Sequence, residues 1–359
     1  MPTYKIAVLP GDGIGKEITS AAVGVLNAVG EKYNKNFEMK EAPVGWEAYK
    51  LHKTCLPKET LSICKKSDAI LLGAVGHPDA DKLAPEDRPE RAALLPLRKK
   101  FDLFANLRPA KVFPELVDSS PLKRSIVEQG IDMLIVRELT GDVYFGKPKG
   151  IKGKGDAEAG FDMMKYSRKE VKRIAKVAFE FAQKRRKKLT SVDKANVLSS
   201  SVLWRKVVDE VAGKYSDVKL EHYYVDNAAM QLVKNPGQFD VMLCGNMFGD
   251  ILSDEASTIC GSLGMLPSAS INEKKFGLFE PIHGSAPKYE GMNVVNPIAT
   301  IMSTSMMLEH SFGLKKEAAA VEGAVKKALQ QGYRTRDIYA EGMKLLGTRE
   351  MGKKIAEFV

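Results

Sequence analysis

Two aspartates four residues apart, Asp250 and Asp254, follow an apolar, strand-like run in Gly245-Asn246-Met247-Phe248-Gly249-Asp250-Ile251-Leu252-Ser253-Asp254-Glu255. Four residues is slightly more than one helical turn, so on a helix both carboxylates share a face and can hold one hard divalent cation. A third carboxylate, Asp226, follows the run His222-Tyr223-Tyr224-Val225. Together they point to a catalytic Mg²⁺ or Mn²⁺ site. Taken alone, Asp250 reads equally well as an acidic residue at a helix start, where the dipole favours it. The five histidines are scattered and the four cysteines lack C-x-x-C spacing, so oxygen ligands are the better-supported donors.

Arginines form the second chemical group. Arg98 ends Leu94-Leu95-Pro96-Leu97, Arg108 follows Phe104-Ala105-Asn106-Leu107, and Arg137 follows the run that starts at Ile131. A guanidinium suits bidentate carboxylate binding, so three of them converging on a metal would fit a dicarboxylate substrate. Any one alone is more often a surface salt bridge, and spacing does not show convergence.

Positioning these groups falls to short apolar runs alternating with helical patterns: Ile6 to Leu9, Ala69 to Leu72, Ile131 to Val136, Thr190 to Val192, Tyr223 to Val225 and Val241 to Cys244. Such alternation predicts an α/β protein with a largely parallel sheet, in which ligands collect beyond the carboxyl ends of strands. Arg137, Lys194, Asp226 and the segment Gly245 to Asp250 fall at such ends. The stretch Gly141 to Asp162 carries Gly141, Gly146, Gly150, Gly153, Gly155 and Gly160 interleaved with lysines, and reads as an extended arm or long loop able to pair with a second subunit.

With 359 residues the chain is long enough for a large core and two lobes; 44% hydrophobic and 28% charged residues mark an ordinary globular composition. No apolar run approaches a membrane span and no signal pattern opens the chain, which predicts a cytoplasmic location and no membrane partner. The net charge of +10 raises a nucleic-acid partner, with Lys184-Arg185-Arg186-Lys187-Lys188 as the patch. That run, however, ends a helix opened by a capping box, Ser167 to Glu170, with Val171, Ile174, Ala178, Phe181 and Ala182 on one face. Basic residues in a last turn complement the dipole, which favours a solvated helix end and no nucleic acid.

The order of motifs resembles the β-decarboxylating dehydrogenases, and within them the branch acting on 3-isopropylmalate in leucine biosynthesis. The resemblance begins at Leu9-Pro10-Gly11-Asp12-Gly13-Ile14-Gly15 and includes Arg91-Ala92-Ala93-Leu94-Leu95-Pro96-Leu97-Arg98 and Asp102-Leu103-Phe104-Ala105-Asn106-Leu107-Arg108-Pro109. It continues through Arg137-Glu138-Leu139-Thr140-Gly141, Tyr144-Phe145-Gly146, Asp193-Lys194-Ala195-Asn196-Val197-Leu198, Val225-Asp226-Asn227-Ala228, the aspartate segment and His283-Gly284-Ser285-Ala286-Pro287. It implies a two-lobed isocitrate/isopropylmalate dehydrogenase-like α/β fold with a large mixed, largely parallel sheet. Although Gly11-Asp12-Gly13-Ile14-Gly15 follows the first strand, it is not G-x-G-x-x-G, and the implied fold is not Rossmann. Residues 1–105 and 262–359 would form the cofactor-binding domain, and 106–261 the dimerisation and metal-site domain with its arm at about 141–162.

The roles implied by the resemblance are these. Arg98, Arg108 and Arg137 would grip the malate carboxylates, while Asp250 and Asp254 would hold Mg²⁺ or Mn²⁺ with Asp226 of the partner subunit in a homodimer that shares its active sites. Lys194 of the partner subunit would take the hydroxyl proton, for which it must be neutral, and nearby cations favour that. Tyr144 would return a proton after CO₂ leaves. Leu94, Leu95 and the partner's Val197 would wall an isopropyl group, where isocitrate enzymes place polar groups. The substrate is then (2R,3S)-3-isopropylmalate, with isocitrate, homoisocitrate or another alkylmalate as the alternative.

The cofactor NAD(P)⁺ would lie on His283, Gly284, Ser285 and Ala286, with Asn296 near the adenine. The family usually continues this loop with Asp-Ile, the aspartate binding ribose hydroxyls of NAD⁺. Here Lys288-Tyr289 stands instead, resembling the NADP⁺-using isocitrate branch, and Val295 and Arg336 also depart from the usual small residues. These substitutions favour NADP⁺. Asp142 is another departure, where the family generally carries glycine.

Overall fold

The computed structural model describes residues 2–359. In chain order its principal strands are β1 (Thr3–Gly11), β2 (Asn36–Glu41), β3 (Ala69–Ala74), β4 (Ala105–Lys111), β5 (Asp132–Glu138), β6 (Lys149–Lys152), β7 (Ala159–Asp162), β8 (Lys188–Asp193), β9 (Lys219–Tyr224), β10 (Val241–Cys244), β11 (Pro267–Ile271) and β12 (Gly277–Pro281). The chain divides into two compact units: Met1–Leu103, Phe113–Pro121 and Cys260–Val359 form the first, and Phe104–Val112 with Leu122–Ile259 the second.

In the first unit the strands run in the order β2-β1-β3-β12-β11. All neighbouring pairs are parallel except β11 with β12. β3 is buried along its whole length, and β1 from Ile6 onward. Unbroken apolar runs are what parallel strands covered on both faces require. The covering helix Gly15–Tyr33 buries Ile18, Ala22, Val25, Leu26 and Val29, the three- and four-residue spacing of one helical face. It stops at Asn34, which takes a left-handed φ of 53° and donates its N–H to the Gly30 carbonyl. Helices Ile298–His310 and Thr348–Phe358 pack against it.

In the second unit the order is β4-β5-β10-β8-β9, with only β4 antiparallel to its neighbour. Helix Arg168–Lys184 packs on β5 and β10. Its capping box is formed, Ser167 accepting from the Glu170 N–H while the Glu170 carboxylate accepts from the Ser167 N–H. The expected apolar face needs one correction. Phe179 is fully buried and Phe181 only partly so, because Phe179 follows Ala175 by four residues on the inner stripe while Phe181 sits at its edge. The glycine-rich stretch contains a short helix, Asp142–Phe145, and then a hairpin in which β6 pairs antiparallel with β7. Both hairpin strands are almost wholly exposed.

The basic run at the end of Arg168–Lys184 is largely charge-compensated. Arg185 bridges Asp132 and Asp240 at 2.7 and 2.8 Å, Lys187 lies 3.3 Å from Asp217, and Lys188 lies 3.0 Å from Glu221. The Arg186 N–H also donates to the buried carboxylate of Asp240. Charges neutralised this way contribute little to a phosphate-binding surface.

Candidate active site

The carboxylate pair sits where β10 passes into helix Asn246–Ile259. Two glycines make that junction possible. A Cβ on Gly249 would lie 2.8 Å from the Arg137 Cγ, and one on Gly245 would lie 3.0 Å from the Tyr166 hydroxyl. Their absence lets Arg137, in β5, run its stem across the helix and deliver its guanidinium to the exposed face. Arg137 is 2% exposed. Its Nε and Nη2 donate to the Asn246 Oδ1 at 3.0 and 2.7 Å, and its Nη1 donates to the Asp250 Oδ1 at 2.5 Å.

Arg108 reaches the same place from β4. Its Nε donates to the Asn106 Oδ1 at 2.8 Å and its Nη1 to the Ser253 hydroxyl at 2.6 Å. The same Nη1 stands 3.3 Å from the Asp250 Oδ1 and 3.5 Å from the Asp254 Oδ1. Tyr144 completes the group, donating its hydroxyl to the Asp250 Oδ2 at 3.0 Å. Burial and the nearby Asp250 charge push its pKa up, so the phenol keeps its proton at neutral pH. Partial burial and the Asp250 charge push the Asp254 pKa up, against the pull of Arg108 and Arg137.

Hard oxygen donors on one helix face, two carboxylates acting against each other, and two arginines holding part of the charge are a donor set that fits a divalent cation. Asp226 is not part of this group. Among the described residues no set of three or more His, Cys, Asp or Glu side chains is placed to hold a metal. Asp226, in the first turn of helix Val225–Lys234, instead accepts from the Lys194 ammonium at 2.8 Å, which holds its pKa below the usual carboxylate value. Lys194 follows β8, and Val197 three residues on is 71% exposed.

In the first unit, Arg98 lies in helix Leu95–Lys100 and is buried, with its Nη2 donating to Glu280 of β12 at 3.1 Å. Its Nε, also buried, has no hydrogen-bond partner. Leu94 packs against the apolar core built from β1 and β3, and Leu95 is partly exposed.

The first unit also contains a cavity of about 500 Å³ lined by Ile14, Ser262, Leu263, Gly264, His283, Gly284, Ala286, Tyr289, Val294, Val295, Asn296, Arg336 and Asp337. Six predicted cofactor residues are among them; Ser285 and Lys288 are not. Ser285 is instead a brace, its hydroxyl donating to the Gly76 carbonyl and its own carbonyl accepting the Ile14 N–H. Gly13 is required there, since its φ is +53° and a Cβ would lie 2.2 Å from the Ser285 oxygen. Lys288 is exposed, its ammonium 4.7 Å from the Tyr289 ring centroid. Burial holds the His283 pKa below its ordinary value, leaving the imidazole neutral at pH 7. Asn296 donates to Asp337 at 3.0 Å and accepts from the Ile298 N–H.

Sequence reasoning did not single out Asn106, Asn246 and Ser253, which aim the arginines, nor Asp337 and residues 262–264. The first three stand inside the quoted motifs as polar residues among apolar ones, the one signal available. Asp337 carries no local signal.

Paired aspartates with convergent arginines in the second unit are a set suited to metal-assisted chemistry on an anionic group, and the first unit has a cavity of its own. The isocitrate/isopropylmalate dehydrogenase family model matches residues 5–355, and the chain belongs to that family. It is 56% identical over 354 residues to the 3-isopropylmalate dehydrogenase of Geobacter metallireducens, covering 98% of each chain. It is 55% identical over 357 residues to that of Clostridium pasteurianum, covering 99% of each. Among solved structures it resembles an isocitrate dehydrogenase from Methylococcus capsulatus, with a TM-score of 0.87 at 32% identity and 99% coverage of both chains. A β-decarboxylating dehydrogenase from Thermococcus kodakarensis matches with a TM-score of 0.78 at 33% identity, over 99% of this chain and 96% of that one.

Proposed function

We propose that this chain catalyses the oxidative decarboxylation of (2R,3S)-3-isopropylmalate to 4-methyl-2-oxopentanoate with reduction of NAD(P)⁺, a step of leucine biosynthesis. The observation that carries this is the convergence of Arg108, Arg137 and Tyr144 on the Asp250–Asp254 pair, in a chain 54–56% identical to relatives named for that activity.

Asp250 and Asp254 would hold Mg²⁺ or Mn²⁺; when bound, the cation polarises the C2 oxygen and stabilises negative charge after CO₂ loss, while the nicotinamide accepts the C2 hydride. Arg108 and Arg137, oriented by Asn106 and Asn246, bind substrate carboxylate, and Arg98 supplies a third guanidinium. Tyr144, protonated at neutral pH, gives its proton to the enol carbon. Leu94 and Leu95 face the alkyl group and disfavour a charged one, since an unpaired carboxylate against apolar surface is costly.

The enzyme is proposed to be a homodimer in which Lys194, Val197 and Asp226 of the partner subunit complete each site. Two observations support this: Asp226 and Lys194 pair with each other apart from Asp250 and Asp254, and the second unit exposes Val197, Met230, Val233 and Ile251 by 48–71%.

NADP⁺ is proposed as the preferred coenzyme. Arg336 lines the cavity and makes no ion pair among the described residues, and the exposed Lys288 holds its ammonium over the ring of Tyr289, which lines the same cavity. The deciding experiment is turnover of isopropylmalate, isocitrate, homoisocitrate and other alkylmalates with each coenzyme; a higher kcat/KM for isocitrate would overturn the substrate assignment.

A further inference from the structure

Asp142 is 1% exposed and adopts a φ of +71°, a conformation in which a non-glycine residue is strained. The chain holds it there through its carboxylate. Oδ1 accepts the Val143 N–H at 2.7 Å, and Oδ2 accepts the Tyr166 hydroxyl at 3.0 Å and the Met247 N–H at 3.1 Å. The contacts lead toward the site. The Tyr166 hydroxyl, donating to Asp142, accepts the Asn246 N–H at 2.6 Å. The Asn246 amide donates to the Gly141 carbonyl at 3.2 Å, and its Oδ1 receives both Nε and Nη2 of Arg137. The two residues of helix Asn246–Ile259 that these contacts reach, Asn246 and Met247, both lie in its first turn.

We propose that Asp142 is a positioning residue for substrate binding: through Tyr166 and the start of helix Asn246–Ile259 it locks Asn246, and so aims the Arg137 guanidinium at the substrate carboxylate. The inference rests on the reading of Arg137 as a substrate ligand. Two features fit a built device rather than a chance contact. Tyr166 is buried and packs edge-on against Trp204, ring centroids 5.1 Å apart, which fixes the side from which its hydroxyl approaches. Gly245 leaves only the space its neighbours need, a Cβ there standing 3.0 Å from the Tyr166 hydroxyl and 3.4 Å from the Asp142 Oδ2.

The test separates aim from scaffolding. Asp142→Gly relaxes the left-handed backbone but leaves the Tyr166 hydroxyl and the Met247 N–H without their acceptor, so the melting temperature falls modestly while KM for isopropylmalate increases about tenfold, the equivalent of losing one charge-assisted hydrogen bond's orientation. Calorimetric titration of isopropylmalate in Mg²⁺ without coenzyme shows the same loss in Kd. Asp142→Asn, which tolerates left-handed φ and keeps one acceptor, recovers part of the affinity. Tyr166→Phe, which keeps the ring against Trp204, raises KM similarly, and combining it with Asp142→Gly adds little because both act through one chain of contacts. A fall in melting temperature with KM and Kd unchanged in Asp142→Gly, or unchanged KM and Kd in Tyr166→Phe, would overturn the proposal. Arg137→Lys is the control: if it raises KM while the other two variants do not, the positioning role fails; if it leaves KM unaltered, the assignment of Arg137 itself fails, and this inference with it.

Discussion

Replacing Asp250 or Asp254 by Asn removes the same charge from two different surroundings, and the structure predicts that the two variants share one defect and differ in another. The Asp250 carboxylate, 36% exposed, accepts from Arg137 at 2.5 Å and Tyr144 at 3.0 Å and lies 3.3 Å from Arg108, whose side chain is 8% exposed. Hydrogen bonds to charged groups contribute about 1.5–3 kcal/mol each, and breaking one leaves a buried guanidinium without its counter-charge. Discounted for the solvent that reaches Asp250, Asp250→Asn should cost about 2 kcal/mol of stability. Asp254 has a single 3.5 Å ion pair and a side chain 62% exposed. Its replacement should cost less than about 1 kcal/mol. Both variants lose a hard anionic ligand, so both should weaken Mg²⁺ binding at least about tenfold and lower kcat/KM by about 10²–10³. The assays are denaturant unfolding of the metal-free proteins, followed over each transition, and turnover titrated with Mg²⁺. An unchanged metal titration in either variant would refute the assignment of the pair as ligands; equal destabilisation by both would refute the account of how the arginines are held.

Subunit sharing has a direct test in mixing. Asp250→Asn and Lys194→Ala homodimers, each nearly inactive, should regain about a quarter of native activity after random subunit exchange, because each hybrid contains one site with both residues intact; no recovery in verified hybrids would refute a shared site. For the coenzyme, Lys288→Asp with Tyr289→Ile should shift the NADP⁺/NAD⁺ ratio of kcat/KM about tenfold toward NAD⁺, the effect of one charge-assisted contact to the 2′-phosphate; an unmoved ratio would remove these residues from phosphate recognition. Finally, all four thiols are buried, with burial pushing Cys55 up to about 11 and Cys64 and Cys244 up to about 12. Native protein at pH 7.5, an ordinary labelling pH for a thiol of pKa about 8.5, should therefore resist alkylation that unfolded protein undergoes fully; rapid native labelling would contradict this packing.

Most legible from sequence were the strands that parallel burial makes continuously apolar: β1, β3, β5 and β10 each contain a run of apolar residues. β8 and β9 were read instead from the β-branched and aromatic residues of Thr190 to Val192 and Tyr223 to Val225, and β9 ends at Tyr224, where helix Val225–Lys234 begins. β4 was not read as a strand, because Asn106, Arg108 and Pro109 interrupt it; Arg108 is there to serve the site, and a functional residue spoils the pattern that would reveal its element. β11 and β12, with Ser268, Ser270 and Glu280 buried among apolar residues, were hidden in the same way.

By itself, then, the sequence determined the α/β class, the helical pairing of Asp250 with Asp254 and the family to which the motif order belongs, since each depends on period, spacing or order along the chain. Tertiary structure alone decided which arginines meet those carboxylates, that Asp226 pairs with Lys194, and that Asp142 is tied to Asn246 through Tyr166. The reason is physical. Arg137 and Asp250, 113 positions apart, are brought together by the pairing of β5 with β10, and Asp142 reaches Met247 of helix Asn246–Ile259 across a separation of 105. Such contacts are set by strand register and helix packing, on which local spacing carries no information.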